Sequence, residues 1–194
     1  MITKPSDFDS VKAATHNSQP PLPAGGHICQ IIKAECVTED YNGEKVDKLY
    51  VYFDVKEGTS YDGYFEQKFK LRKQYNPATK WGGLLRQALK AQDGSTSPYF
   101  KGLITSIEDS NPGFSWQWDE RQLHGKRVGI VFREKDFLSN GNKYTTTEPA
   151  WACGADEAFD QPIPKKKELN PQAVFGSKNV QDMTPEPDPA LPWE

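Results

Sequence analysis

The chain has 194 residues, 36% of them hydrophobic and 26% charged, with a net charge of −3 and a mean hydropathy of −0.77. This length suits one ordinary domain with residues left over for tails. No apolar run approaches the ~18–20 residues of a membrane helix, so membrane, coiled-coil and fibrous classes are excluded.

Residues 1–25 are polar and end in THNSQPPLPAG, which predicts a flexible leader or a segment laid across the body. The opening MITKPSDFDS holds no signal-peptide core. Cys29, Cys36 and Cys153 form an odd count without a C-x-x-C pair. Together these features give the expectation of a soluble protein in a reducing, cytoplasmic compartment. The odd offset between Cys29 and Cys36 predicts opposite faces of one strand. His16, His27 and His124 are scattered, so neither a metal nor another cofactor is expected.

Residues 27–38, HICQIIKAECVT, read as a long curved strand, and Asn42-Gly43 as a hairpin turn. Residues 48–56, KLYVYFDVK, alternate cleanly. Leu49, Val51, Phe53 and Val55 share one face, with Tyr50, Tyr52 and Asp54 on the other. Residues 64–72, YFEQKFKLR, alternate again, with Phe65, Phe69 and Leu71 inward. This predicts a third strand that carries Tyr64, Lys68, Lys70 and Arg72 outward, completing an antiparallel meander.

Residues 80–92, KWGGLLRQALKAQ, place Trp81, Leu84, Leu85, Ala88 and Leu89 at helical spacing and predict a helix anchored by Trp81. Residues 99–109 predict a second, shorter helix. The connection that follows carries Trp116 and Trp118, both expected to pack on the body. Residues 126–134 (KRVGIVFRE) and 143–152 (KYTTTEPAWA) are the last two strands, joined at Asn140-Gly141, with Pro149 marking an edge. From Asp156 the chain becomes Pro-rich and charged, which predicts a disordered tail.

Five strands with one or two helices between the third and fourth predict an all-β OB-fold barrel over residues 26–155. The leader is then residues 1–25 and the tail residues 156–194. A flat α+β sheet is the competing arrangement.

Charge is uneven along this plan. Residues 1–155 carry 20 Lys and Arg against 19 Asp and Glu, while residues 156–194 carry 4 against 8. A near-neutral body binds a polyanion only through a local basic groove. Phosphate-binding glycine loops, a dinucleotide fingerprint and a nucleophile elbow are absent from the sequence, so no catalytic residues are assigned.

The outward face of the meander supplies the candidate groove. Tyr50 and Tyr52 lie two apart on the second strand, beside Tyr64, Lys68, Lys70 and Arg72 on the third. Rings stack bases and cations track phosphates, which is the chemistry of single-stranded DNA binding. Lys73 and Lys80 flank the QYNPAT loop at the groove's mouth, and Arg127, Arg133, Lys143 and Tyr144 extend it. The chain ends in TPEPDPALPWE, an acidic segment with an apolar tip; Asp188, Leu191, Pro192 and Trp193 suit capture by a basic pocket on a partner protein. Two other readings stay open: an accessory module that binds protein rather than DNA, and a small Mg²⁺-dependent nuclease built on carboxylates from several elements.

Residues 22–154 resemble the phage and prophage family of single-stranded DNA-binding proteins. The resemblance rests on Leu22-Pro23-Ala24-Gly25-Gly26, the Asn42-Gly43 hairpin, KLYVYFDVKEG, KWGGLLRQALKA and LHGKRVGIVFREKDFLSNGNKY. The tail is similar to the acidic tip of bacterial single-stranded DNA-binding proteins, with Trp193 in place of a Phe, a further Glu194 and sparser acids. The resemblance implies an OB-fold and sequence-tolerant coating of single strands in phage replication or recombination within a bacterial host. It also implies contacts to replication or recombination proteins through the tail, and leaves self-association open.

Overall fold

The computed structural model describes residues 3–6, 9, 20–41, 43–139 and 141–169. Along them run strand β1 (Gly25–Tyr41), β2 (Glu44–Val55), helix α1 (Tyr64–Lys73), β3 (Leu84–Ala88), α2 (Pro98–Asp109), β4 (Arg127–Ser139) and β5 (Asn142–Cys153). Single 3-10 turns occur at Glu120–Leu123 and Ala155–Asp160. Asn42, Asn140 and the tail residues Asp188, Leu191, Pro192 and Trp193 lie outside the described residues.

The strands form one antiparallel sheet in the order β3-β2-β1-β4-β5. Among the described residues the protein is therefore mostly β, with five strands. β1 is long enough to serve both halves: its first residues pair with β4, and the remainder pairs with β2. A bulge between Ile31 and Lys33 bends it where it changes partners. The extra residue also resets side-chain parity. Cys29 and Ile31 before the bulge, and Ala34 and Cys36 after it, lie opposite the inward row Val55, Phe53, Val51 and Leu49. Cys29 and Cys36 thus share a face, against the odd-offset expectation, and both are free thiols.

That inward row of β2 is fully buried, as its alternation requires, and meets Val128, Ile130 and Phe132 of β4. Each such side chain stabilises the fold by roughly 1.5–3 kcal/mol through removal from water. α2 closes the core with Phe100, Leu103 and Ile107. The helix starts where expected because Pro98 occupies its first turn and Ser97 caps it, accepting from the Phe100 N–H. Leu22 of the leader is also buried in the core.

Two predicted elements exchange identity. Residues 64–72 form α1 rather than a strand. Phe65 and Phe69, four apart, satisfy a helical stripe as well as a strand alternation, and Leu71, which only the strand reading buries, is 54% exposed. The helix is capped from outside its own sequence, by Asp54 of β2. Residues 80–92 carry strand β3 at Leu84–Ala88 rather than a helix. Gly83 lets the backbone approach β2, its carbonyl accepting from the Phe53 N–H at 2.8 Å. A Cβ there would lie 2.2 Å from the Phe53 carbonyl oxygen. Tertiary pairing with Lys48–Tyr52 thereby overrides the helix preference of Leu and Ala. Trp81 is buried as expected, its indole N–H donating to the Phe53 carbonyl at 3.0 Å.

The chain keeps regular contacts past Asp156. The 155–160 turn buries Ala155 and Ala158, and at Gly26 a Cβ would come within 1.7 Å of the Ala158 carbonyl oxygen. Farther on, Lys167 bridges in parallel to Lys135 on the free edge of β4. Trp116 packs inward, whereas Trp118 is 74% exposed on a left-handed backbone, φ 63°.

Candidate nucleic-acid interface

The outer face of β2 carries Tyr50, Tyr52 and Asp54, but α1 lies across it. Tyr52 is buried against Phe69 and Trp81, and its hydroxyl donates to Glu35 at 3.0 Å. Tyr50 is half-buried, with the Arg86 guanidinium carbon 5.1 Å from its ring centre and its hydroxyl donating to Glu39. The expected open tyrosine face is therefore covered. Tyr64 is buried too; its hydroxyl accepts from the Leu22 N–H at 2.9 Å, and the Lys68 ammonium sits 4.4 Å from its ring centre.

Covering that face moves the expected cations elsewhere. Lys68 and Arg72 line a recess between α1 and β5, together with Tyr64, Phe69, Lys80, Gly82, Thr146 and Thr147. A second cleft, of about 460 Å³, continues from it through the shared Gly82 and Thr147. This second cleft is the seam where β3 and β5, the two ends of the sheet, face each other without a ladder among the described residues. Its walls carry Arg86 from β3, Arg133 from β4, and Lys167. Among the described residues, six cations thus line a continuous path, with Glu148 the one carboxylate on it.

Glu148 is held by Arg133, whose Nε and Nη2 donate at 3.0 and 2.8 Å, and by Lys135 at 2.8 Å. Burial pushes its carboxyl up, but these hydrogen bonds outweigh that and hold it below its ordinary value. Exposed aromatic rings occur on the chain segments that flank the first recess. Tyr75, 71% exposed, follows α1 and donates its N–H to the Arg72 carbonyl. On the β4–β5 hairpin, Phe137 and Tyr144 stack with ring centres 5.8 Å apart.

The remaining candidates lie off this path. Lys70 pairs with Glu66 one turn earlier, and Lys73 lies 5.2 Å from the Phe69 ring centre. Lys143 pairs with the buried Asp136 at 2.8 Å. Arg127 lies in a separate recess with Asn111, Phe114 and Lys126, and pairs with Asp156 at 3.6 Å. Arg86 and Lys167 were missed because one lies in a segment that reads as a helix and the other in one that reads as tail. The run Lys165-Lys166-Lys167, set within an acidic stretch, was the available signal.

Among the described residues no group of three His, Cys, Asp or Glu side chains is placed to hold a metal ion. No helix among them is long and apolar enough to cross a membrane. No protein-family model matches the chain, and no curated protein matches it.

Proposed function

We propose that the protein is a phage-type single-stranded DNA-binding protein that takes the strand along the seam cleft, without catalysis. The observation that carries this reading is the continuous path lined by Lys68, Arg72, Lys80, Arg86, Arg133 and Lys167. A chain of near-neutral body charge concentrates cations there, as sequence-tolerant phosphate contact requires. Bases stack on the exposed rings of Tyr75, Phe137 and Tyr144, each stacked base contributing roughly 1–3 kcal/mol.

The sheet is read as an OB-like barrel. The strand order, the bent β1 shared between two partners and the helix between β3 and β4 support this reading. The acidic C-terminal segment is assigned to contacts with replication or recombination proteins, as the tail's resemblance implies. The test is fluorescence anisotropy with a labelled poly-dT oligonucleotide over a salt series. Tight binding that weakens with salt and prefers single strands to duplex is the expected result. Absence of binding at low salt overturns the reading and favours an accessory protein-binding module, for which the exposed Trp118 and Tyr99 offer a surface.

A further inference from the structure

Glu148 stands opposite Arg133 in the β4–β5 ladder, on the same face as Lys135. The segment carrying Lys167 is fixed beside them by two backbone bonds, Asp136 N–H to the Lys167 carbonyl at 2.9 Å and Lys167 N–H to the Glu134 carbonyl at 2.8 Å. Three cations from two stretches of chain, β4 and the segment at Lys167, therefore converge on one carboxylate. Oε1 receives the Arg133 fork and has the Lys167 ammonium at 3.7 Å, while Oε2 pairs with Lys135.

The cluster keeps two positive charges in excess, and the Glu148 side chain remains 22% exposed along the cleft wall. Its counterpart on the other face of the hairpin, Asp136, is held by Lys143 and Lys166 but is only 1% exposed. That difference separates a sealed structural pair from one that an incoming anion can reach. A phosphodiester presents two non-bridging oxygens and one negative charge, which matches what Glu148 offers to the same donors.

We propose that Arg133, Lys135 and Lys167 form a phosphodiester subsite that Glu148 fills in the free protein and yields when a nucleic-acid strand enters. No covalent bond changes; one anion replaces another on a preformed set of donors. Glu148 is thus an internal competitor that lowers affinity for weak anions. The inference rests on the reading of the cleft as a single-strand interface.

The test is anisotropy with labelled poly-dT across a salt series, on the full chain and three variants. Glu148→Gln is expected to bind about tenfold more tightly at low salt, with a salt slope steeper by about 0.7, the single-strand value for one further phosphate contact. Glu134→Gln, which makes the same change in net charge on the opposite face of the hairpin, is expected to stay close to wild type. Lys167→Gln is expected to make the slope shallower by about 0.7; this exposed position keeps the proposal falsifiable should Glu148→Gln fail to fold. Wild-type binding with Glu148→Gln unchanged, or matched by Glu134→Gln, overturns the subsite alone. Wild-type failure to bind overturns the interface and the subsite together.

Discussion

Asp54 of β2 caps α1 across eleven residues of sequence, its Oδ1 accepting from the Phe65 N–H at 2.8 Å. Oδ2 accepts from the Glu66 N–H at 3.0 Å, and Oδ1 also takes the Val55 N–H. The helix's own N-cap position, Gly63, supplies no side-chain acceptor. Asp54→Ala leaves those three donors without the carboxylate, and a loss of about 2 kcal/mol is expected. Chemical denaturation measures the loss, and hydrogen exchange locates it at residues 64–73.

Gly83 and Gly102 form a contrasting pair. A Cβ at Gly83 would lie 2.2 Å from the Phe53 carbonyl oxygen and 2.8 Å from the Phe65 ring. Gly83→Ala is therefore expected to destabilise by about 3 kcal/mol or more, because it pries β3 from β2. At Gly102, inside α2, a Cβ meets nothing within 4 Å. Gly102→Ala is expected to stabilise by roughly 0.5–1 kcal/mol through helix propensity. Paired denaturant midpoints check both signs.

Hydrogen bonds from Lys143 and Lys166, and from the Thr145 hydroxyl, hold the Asp136 carboxyl well below the usual carboxylate range. A depressed folded value means the contribution is fully present above the unfolded carboxyl pKa, about 4. It is lost as pH falls below that toward the folded value. The β4–β5 hairpin should hold its stability from pH 7 to 5 and lose it in stronger acid. Asp136→Asn should be less stable at neutral pH and flatter in its acid limb. Denaturant midpoints measured from pH 7 down through the acid limb below about pH 4 test this.

Charge and stacking along the cleft separate by their salt response. Lys68→Gln and Arg72→Gln should each make the salt slope for poly-dT shallower by about 0.7. Tyr75→Ala should cost roughly 1–3 kcal/mol of binding with the slope unchanged. Lys70→Gln, at a residue paired with Glu66 off the path, should change neither.

The sequence made the inward row of β2 legible because its alternation is unbroken over Leu49, Val51, Phe53 and Val55. Residues 99–109 were likewise legible as a helix, to which the structure adds Pro98 and the Ser97 cap. The exchange of α1 and β3 was not legible, since each was decided by a partner distant in sequence. Asp54 supplies the cap that makes residues 64–73 helical, and the backbone contact of Gly83 with Phe53 draws residues 84–88 into the sheet. The same exchange decided the candidate site. Once residues 64–73 form a helix over β2, Tyr52 becomes its floor, and Lys68 and Arg72 turn toward β5. Arg133 lies on the cleft wall because β4 forms where the alternation of residues 126–134 predicts a strand.

The seating of the 155–160 turn on Gly26 redraws the border between body and tail. Of the four basic residues after position 155, three belong to the Lys165–Lys167 run that reaches the hairpin, leaving Lys178 against four acids beyond residue 169. A chain ended at Asp156 would lose Lys167 from the cleft and, with Ala158 removed, uncover Val131 and Cys153. Weaker DNA binding by such a chain would then report damage to the body, whereas a chain ended after residue 169 would isolate what the acidic segment itself does.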